Sequence, residues 1–205
     1  GALLECMVLE PEAARPMEQA LQETHTTRWW CMVGNAKRWK GEVLSRLHNG
    51  QHLEAERIDQ RDGEHLIEFR WKSQLPFVQV LGHFGAMPLP PYMRRDAVAE
   101  DEQRYNTVFA TNDGSVAAPT ASLHLSGAML DALHQRGVRH TRLTLHVGAG
   151  TFLPVKSQRM EGHAMHREQV RIPRTTVEEL LAQLGQGPIV PVGTTGESPT
   201  LSHDE

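Results

Sequence analysis

The sequence predicts an α+β protein of two domains, a small all-β barrel-like domain (residues 1–80) inserted into or joined to an α/β domain (residues 81–205). Three observations carry this reading. Up to about residue 75, four or five short β-prone runs are separated by turn signals, with no strong helical period. After residue 126, helical and extended patterns alternate as in a βαβ-type unit. Between these parts lies Met87-Pro-Leu-Pro-Pro-Tyr92, whose prolines enforce an extended segment, read either as a linker or partner-binding peptide or as a fixed interdomain strap.

Taken in order, residues 3–10 form a largely buried strand, and Met17–Glu23 a short helix. Arg28-Trp-Trp-Cys-Met-Val33 is aromatic and β-prone and ends at Gly34-Asn35. His52–Asp59 alternates as a weak strand, and His65–Trp71, a better one, follows the turn pair Asp62-Gly63. Trp29, Trp30, Trp39 and Trp71 suit either a stacking surface for bases or the core of a small barrel, with the core as the default. Residues 74–91 read as a transition.

In the second part, Asp101–Ala110 has helical spacing with Tyr105, Val108 and Phe109 on one side. Ser126 caps a helix over Gly127–Arg136 whose Met129, Leu130 and Leu133 form the buried stripe, and Gly137 stops it. A strand Arg142–Val147 follows. Thr175 or Thr176 caps a helix Val177–Leu184, and residues 189–195 form another short strand entering a glycine–threonine turn.

Bulk properties narrow the function. The 205 residues suffice for a core, and the formal charge of −4 supplies no overall basic field, so RNA binding would need a local patch. Cys6 and Cys31 sit in apolar runs, as expected of reduced, buried thiols in a cytoplasmic protein rather than of a disulfide framework. No apolar run reaches the ~18 residues of a membrane span, and no signal peptide opens the chain. Gly1-Ala-Leu-Leu-Glu5 starts in mid-pattern, as expected of a segment of a longer protein.

Chemistry is expected at three polar turns: Pro119–His124, His146–Thr151 and His163–Glu168. In the run Leu143–Val147, alternation puts Thr144 and His146 on one face. Gly148 and Gly150 allow the backbone to approach a ligand closely, although neither a dinucleotide fingerprint nor a lysine-bearing phosphate loop is present. His124, His146, His163 and His166 suit general acid–base work near neutral pH, with Glu168 orienting or tuning one of them. His163, His166 and Glu168 also have the composition of a metal set, though not the His-Glu-x-x-His pattern.

Six ordered motifs then resemble one family: Pro88-Leu-Pro-Pro-Tyr92; Arg104-Tyr105-x-Thr107-Val108; Val116-Ala-Ala-Pro-Thr-Ala121 with Leu123-His124; Leu145-His-Val-Gly-Ala-Gly-Thr-Phe152 with Pro154-Val155; His163-x-Met-His166-x-Glu168; and Val192-Gly-Thr-Thr195. In this order they look like the S-adenosylmethionine:tRNA ribosyltransferase-isomerase family of queuosine biosynthesis. The resemblance covers about residues 82–195, and the first 80 residues resemble that family's inserted β-barrel domain more loosely. Departures include Ser122 and Leu125, where the family usually has Gly and Phe, and Asn106 and Phe109, where Gln and Tyr are common. The family's N-terminal segment and long C-terminal α/β portion have no counterpart, as in a partial chain.

The resemblance implies transfer and isomerisation of the ribosyl moiety of S-adenosylmethionine onto 7-aminomethyl-7-deazaguanine at the wobble position of tRNA. The implied product is epoxyqueuosine, with adenine and methionine released and no metal required. His146 and His166 are then the expected acid–base pair, with His124, Glu168 and His163 beside them. Gly148, Gly150, Thr151, Thr120 and Thr194 are candidates for holding S-adenosylmethionine, and Tyr92, Arg94, Arg95 and Arg104 for contacting tRNA. Two alternatives come from other classes: a non-catalytic tRNA-binding module, and a metal-dependent hydrolase built on His163, His166 and Glu168.

Overall fold

The structure, a computed structural model, describes residues 4–86, 88–89, 93, 95, 97–98, 100–111, 115, 118–148 and 169–193. Strand and helix both contribute, in two compact units. The described residues of Gly1–Ala97, together with Gly148, make up one; those of Val98–Val147 and Val155–Glu205 make up the other.

The first unit is an antiparallel sheet of β1 (Glu5–Pro11), β2 (Thr26–Gly34), β3 (Leu44–His48), β4 (Gln51–Arg61) and β5 (Glu64–Trp71), in the order β1-β2-β5-β4-β3. Two tight hairpins set its register. Asp62 and Gly63 (φ 41° and 86°) join β4 to β5, and Asn49 and Gly50 (φ 47° and 75°) join β3 to β4. Both central residues of each turn are left-handed, the conformation whose twist matches the flanking strands.

One sheet face carries Trp29 and Cys31 of β2 and Ile67, Phe69 and Trp71 of β5, all buried. Helices α1 (Met17–Leu21) and α2 (Phe77–Phe84) cover it. Phe77 is fully buried, 5.5 Å from the Trp29 ring, 5.3 Å from Phe69 and 5.6 Å from Trp71. The Trp71 indole donates to the Leu75 carbonyl at 2.8 Å and the Phe77 amide to the Glu23 carbonyl at 3.0 Å, fixing where α2 begins. The opposite face is an ion-pair lattice. Arg28 bonds Glu68 at 2.6 Å, and Arg70 reaches Glu68, Glu56 and Glu54 at 2.6, 2.7 and 3.5 Å.

The expected all-β barrel is therefore corrected. The sheet is open, with β1 and β3 as unjoined edges, and helices rather than further strands bury its apolar face. Trp29, Trp39 and Trp71 are core residues, while Trp30 lies half-buried under the Arg61 guanidinium, 3.9 Å from the ring centroid. Both cysteines are free. Burial pushes the Cys31 thiol well up, and burial followed by the neighbouring Glu5 charge raises Cys6 to about 11, so neither is a ready thiolate.

In the second unit, β6 (Thr144–His146) pairs antiparallel with β7 (Gln169–Arg171). Helices α3 (Asp101–Arg104), α4 (Gly127–Gln135) and α5 (Arg174–Gln183) accompany this pair. The expected βαβ crossover is absent from the described residues. Residues 189–193 form no strand, for Pro191 lacks an amide donor and Ile189, Val190 and Val192 are 41%, 79% and 50% exposed.

The expected helix Asp101–Ala110 stops after Arg104. There the Thr107 hydroxyl takes the Phe109 amide at 3.2 Å, a local bond that competes with helical continuation. Ser126 does cap α4, accepting the Met129 amide at 3.3 Å, but Met129 and Leu133 are 48% and 38% exposed rather than buried. Helix α5 starts after Pro173, so neither expected threonine caps it. Thr176 is buried and donates to the Arg142 carbonyl at 2.7 Å. No helix among the described residues is long and apolar enough to cross a membrane.

Candidate functional site

His146 sits at the end of β6 and is 8% exposed. Alternation along this strand turns Leu145 the other way, and the strand is fastened on both sides. Ser115 donates its hydroxyl to the Leu145 carbonyl at 3.3 Å and accepts the Val147 amide at 3.1 Å, bracketing His146 from one edge. On the other edge the register sets Leu145 opposite Val170 and His146 opposite Gln169. Gln169 directly follows Glu168 in sequence, so β7 begins at the position after the His163–Glu168 motif. Thr176 anchors the chain before β6 through Arg142, with the Thr141 hydroxyl 3.1 Å from its own. The Arg142 guanidinium lies 5.6 Å from the Phe109 ring centroid.

His124 ends a 3-10 turn, Thr120–His124, that starts after Pro119. Thr120 and His124 are both exposed, whereas Ser122 between them is buried. Its hydroxyl donates to the Pro119 carbonyl at 3.0 Å and its carbonyl accepts the Leu125 amide at 3.1 Å. The Ser122 side chain is thus spent on the turn itself, which resolves what a serine does where the resembled family usually has glycine.

Gly148 is half-buried and follows Val147 in the chain. Of the expected RNA-contacting residues, Arg95 and Arg104 are exposed. His163, His166, Glu168, Gly150, Thr151, Thr194, Tyr92 and Arg94 lie outside the described residues. Among the described residues no group of three or more His, Cys, Asp or Glu side chains could hold a metal ion.

Sequence reasoning missed the supports of this strand: Ser115, Thr141 and Thr176. Nothing in the sequence around Thr176 marks it as the buried residue of its helix. Ser115 makes its bonds across some thirty positions of chain, and no local pattern foretells them.

Comparison with known proteins adds the family. No solved structure matches the chain. The curated relatives it matches include proteins named S-adenosylmethionine:tRNA ribosyltransferase-isomerase. That of Geobacter metallireducens is 41% identical over 177 residues, covering 86% of this chain and 50% of the relative. That of Acidithiobacillus ferrooxidans is 45% identical over 167 residues, covering 81% and 47%. That of Pelodictyon phaeoclathratiforme is 52% identical over 113 residues, covering 55% and 33%. The chain spans about half the length of the first of these. The family model of the queuosine biosynthesis protein matches residues 4–198, nearly the whole sequence, and the chain belongs to that family.

Proposed function

We propose that this chain is part of an S-adenosylmethionine:tRNA ribosyltransferase-isomerase, an enzyme that transfers and isomerises the ribosyl group of S-adenosylmethionine onto 7-aminomethyl-7-deazaguanine at the tRNA wobble position. The observation that carries the reading is the match over residues 4–198, with relatives of that name above 40% identity across more than four-fifths of the chain.

The chemistry sets definite demands. The carbon beside the sulfonium must lose a proton, adenine must accept one or be hydrogen-bonded as its glycosidic bond breaks, and the base's aminomethyl nitrogen must be neutral to attack. Methionine then departs with the sulfur, and epoxyqueuosine remains on the tRNA. Imidazoles suit these proton transfers near neutral pH. Two features support His146 as one of the groups: it is buried, and its strand is fastened by Ser115 and by pairing with Gln169. We assign it to the acid–base pair with His166, with His124, His163 and Glu168 as accompanying groups. Backbone amides at Gly148 and Gly150 hold the donor's ribose or methionine carboxylate, and Thr120, Thr151 and Thr194 are its further contacts. Tyr92, Arg94, Arg95 and Arg104 meet the tRNA. The division into a β domain over residues 1–80 and an α/β domain over 81–205 belongs to the same proposal.

The test uses the full-length protein, S-adenosylmethionine and tRNA carrying the aminomethyl base. Adenine and methionine should appear in step with ribosylated tRNA. Salt-sensitive tRNA binding without adenine release would replace the enzyme by a non-catalytic RNA-binding module.

A further inference from the structure

In the first unit several cations are matched: Arg15 pairs with Glu23, Arg28 with Glu68 and Glu12, Arg61 with Glu10 and Glu64, and Arg70 with three glutamates. Arg46 and Arg57 instead donate to the Phe84 and Trp39 carbonyls. Lys37, Arg38 and Lys40, in the segment after β2, are exposed and have no ion pair among the described residues. The Glu42 carboxylate accepts the Lys40 backbone amide at 2.9 Å, so one negative charge sits beside the three cations.

The segment is also held in place. Asn35, left-handed at φ 58°, starts a 3-10 turn over Ala36–Arg38, and Trp39 then turns inward at 2% exposure. The Trp39 indole donates to the Glu42 carbonyl at 2.7 Å. Arg57 of β4 approaches the same residue, with its guanidinium 5.8 Å from the ring centroid and Nη2 donating to the Trp39 carbonyl at 3.4 Å. A buried aromatic anchor thus fixes a segment with three exposed cations, and Arg57 lies behind it. On a protein of formal charge −4 this is a local patch suited to a polyanion. Exposed lysine and arginine side chains are the usual donors to phosphate oxygens, contacts that fix how a nucleic acid sits on a protein.

We propose that the basic segment Lys37–Lys40 is a phosphate-backbone contact for the structured RNA substrate. This rests on the tRNA-modifying reading above and adds a contact surface in the β unit, apart from the acid–base groups. Binding of an unmodified tRNA transcript to the full-length protein, followed by fluorescence anisotropy across a salt series, tests it. The variant Lys37→Glu/Arg38→Glu/Lys40→Glu should lose at least about tenfold in affinity. Its dependence of log affinity on log salt should be shallower by about two, since each lost phosphate contact removes ~0.7–0.9 from that slope. The neutral variant Lys37→Gln/Arg38→Gln/Lys40→Gln should show the same flattening, with its melting temperature confirming the fold.

Unchanged affinity and slope in both variants would overturn the contact, and would leave the transferase reading intact if the wild type still released adenine. A wild type that binds tRNA through this segment yet releases no adenine would overturn the transferase reading and leave the contact standing.

Discussion

The two units bury different things. Among the described residues, every buried apolar side chain except Tyr105 and Val147 lies in the first unit, whose inner face is a continuous aromatic and aliphatic layer. The second unit buries Asp101, Ser122, His146 and Thr176, and leaves Met129, Leu133, Val177 and Leu181 exposed. A layer of rings is held by area and packing, which tolerate no cavity. A polar segment is held by individual hydrogen bonds, each of which fixes one position of the chain. The first kind of order makes a platform; the second can set an imidazole at a chosen place.

Three substitutions probe that contrast. The largest effect is expected at Phe77, where three aromatic neighbours converge. Phe77→Ala should cost ~3–5 kcal/mol of unfolding free energy in denaturant titrations, the range for emptying an aromatic core site. A cost below about 1 kcal/mol would mean that α2 is peripheral to the sheet. In the second unit, Thr176→Val keeps the shape but strips the bond to the Arg142 carbonyl, and a loss of about 1–3 kcal/mol is expected. If chemical shifts of β6 stayed fixed in that variant, Thr176 would not be an anchor of the strand.

The smallest effect concerns the sheet's outer lattice. The Arg28 hydrogen bond, opposed by burial and reinforced by Arg70, holds the Glu68 carboxyl below its ordinary value near 4.5. A carboxylate depressed by folding stabilises the protein above that ordinary value, and the contribution fades as pH falls through the lower folded one. Wild type should therefore lose slightly more stability than Glu68→Gln as pH is lowered through this window. The difference should stay under about 1 kcal/mol because the guanidinium partners are solvated. Parallel pH profiles would remove Glu68 from the lattice's energetics.

The same contrast explains what could be read in advance. The strands containing Trp29 and Phe69 and the Asp62-Gly63 turn were legible because alternation and turn chemistry are local signals. Strand β3 precedes a comparable Asn49-Gly50 turn, but Leu44–His48 has little apolar alternation to mark it. Helix α2 was hidden by its neighbours. Apolar residues at 77, 78, 80, 81 and 84 have helical spacing, but Pro76, Gly82 and the prolines that follow interrupt it, and the segment reads as a transition. Openness of the sheet was not legible, since closure depends on whether β1 meets β3, a pairing distant in sequence.

At the candidate site, His146 was singled out from its strand and the glycines after it. Its partner strand was not, because three residues, Gln169–Arg171, carry no period. Hydrogen bonds from Ser115 and Thr176 connect positions about thirty apart, and only the folded chain displays them.

Proton transfer by the imidazole at the end of β6 is the central claim of the proposed chemistry. The decisive measurement is adenine release by the full-length protein carrying His146→Ala, at saturating S-adenosylmethionine and tRNA, beside its tRNA affinity. Turnover should fall by about 10²–10⁴, the range for losing a general acid or base, while tRNA affinity holds. Near-normal turnover would contradict it.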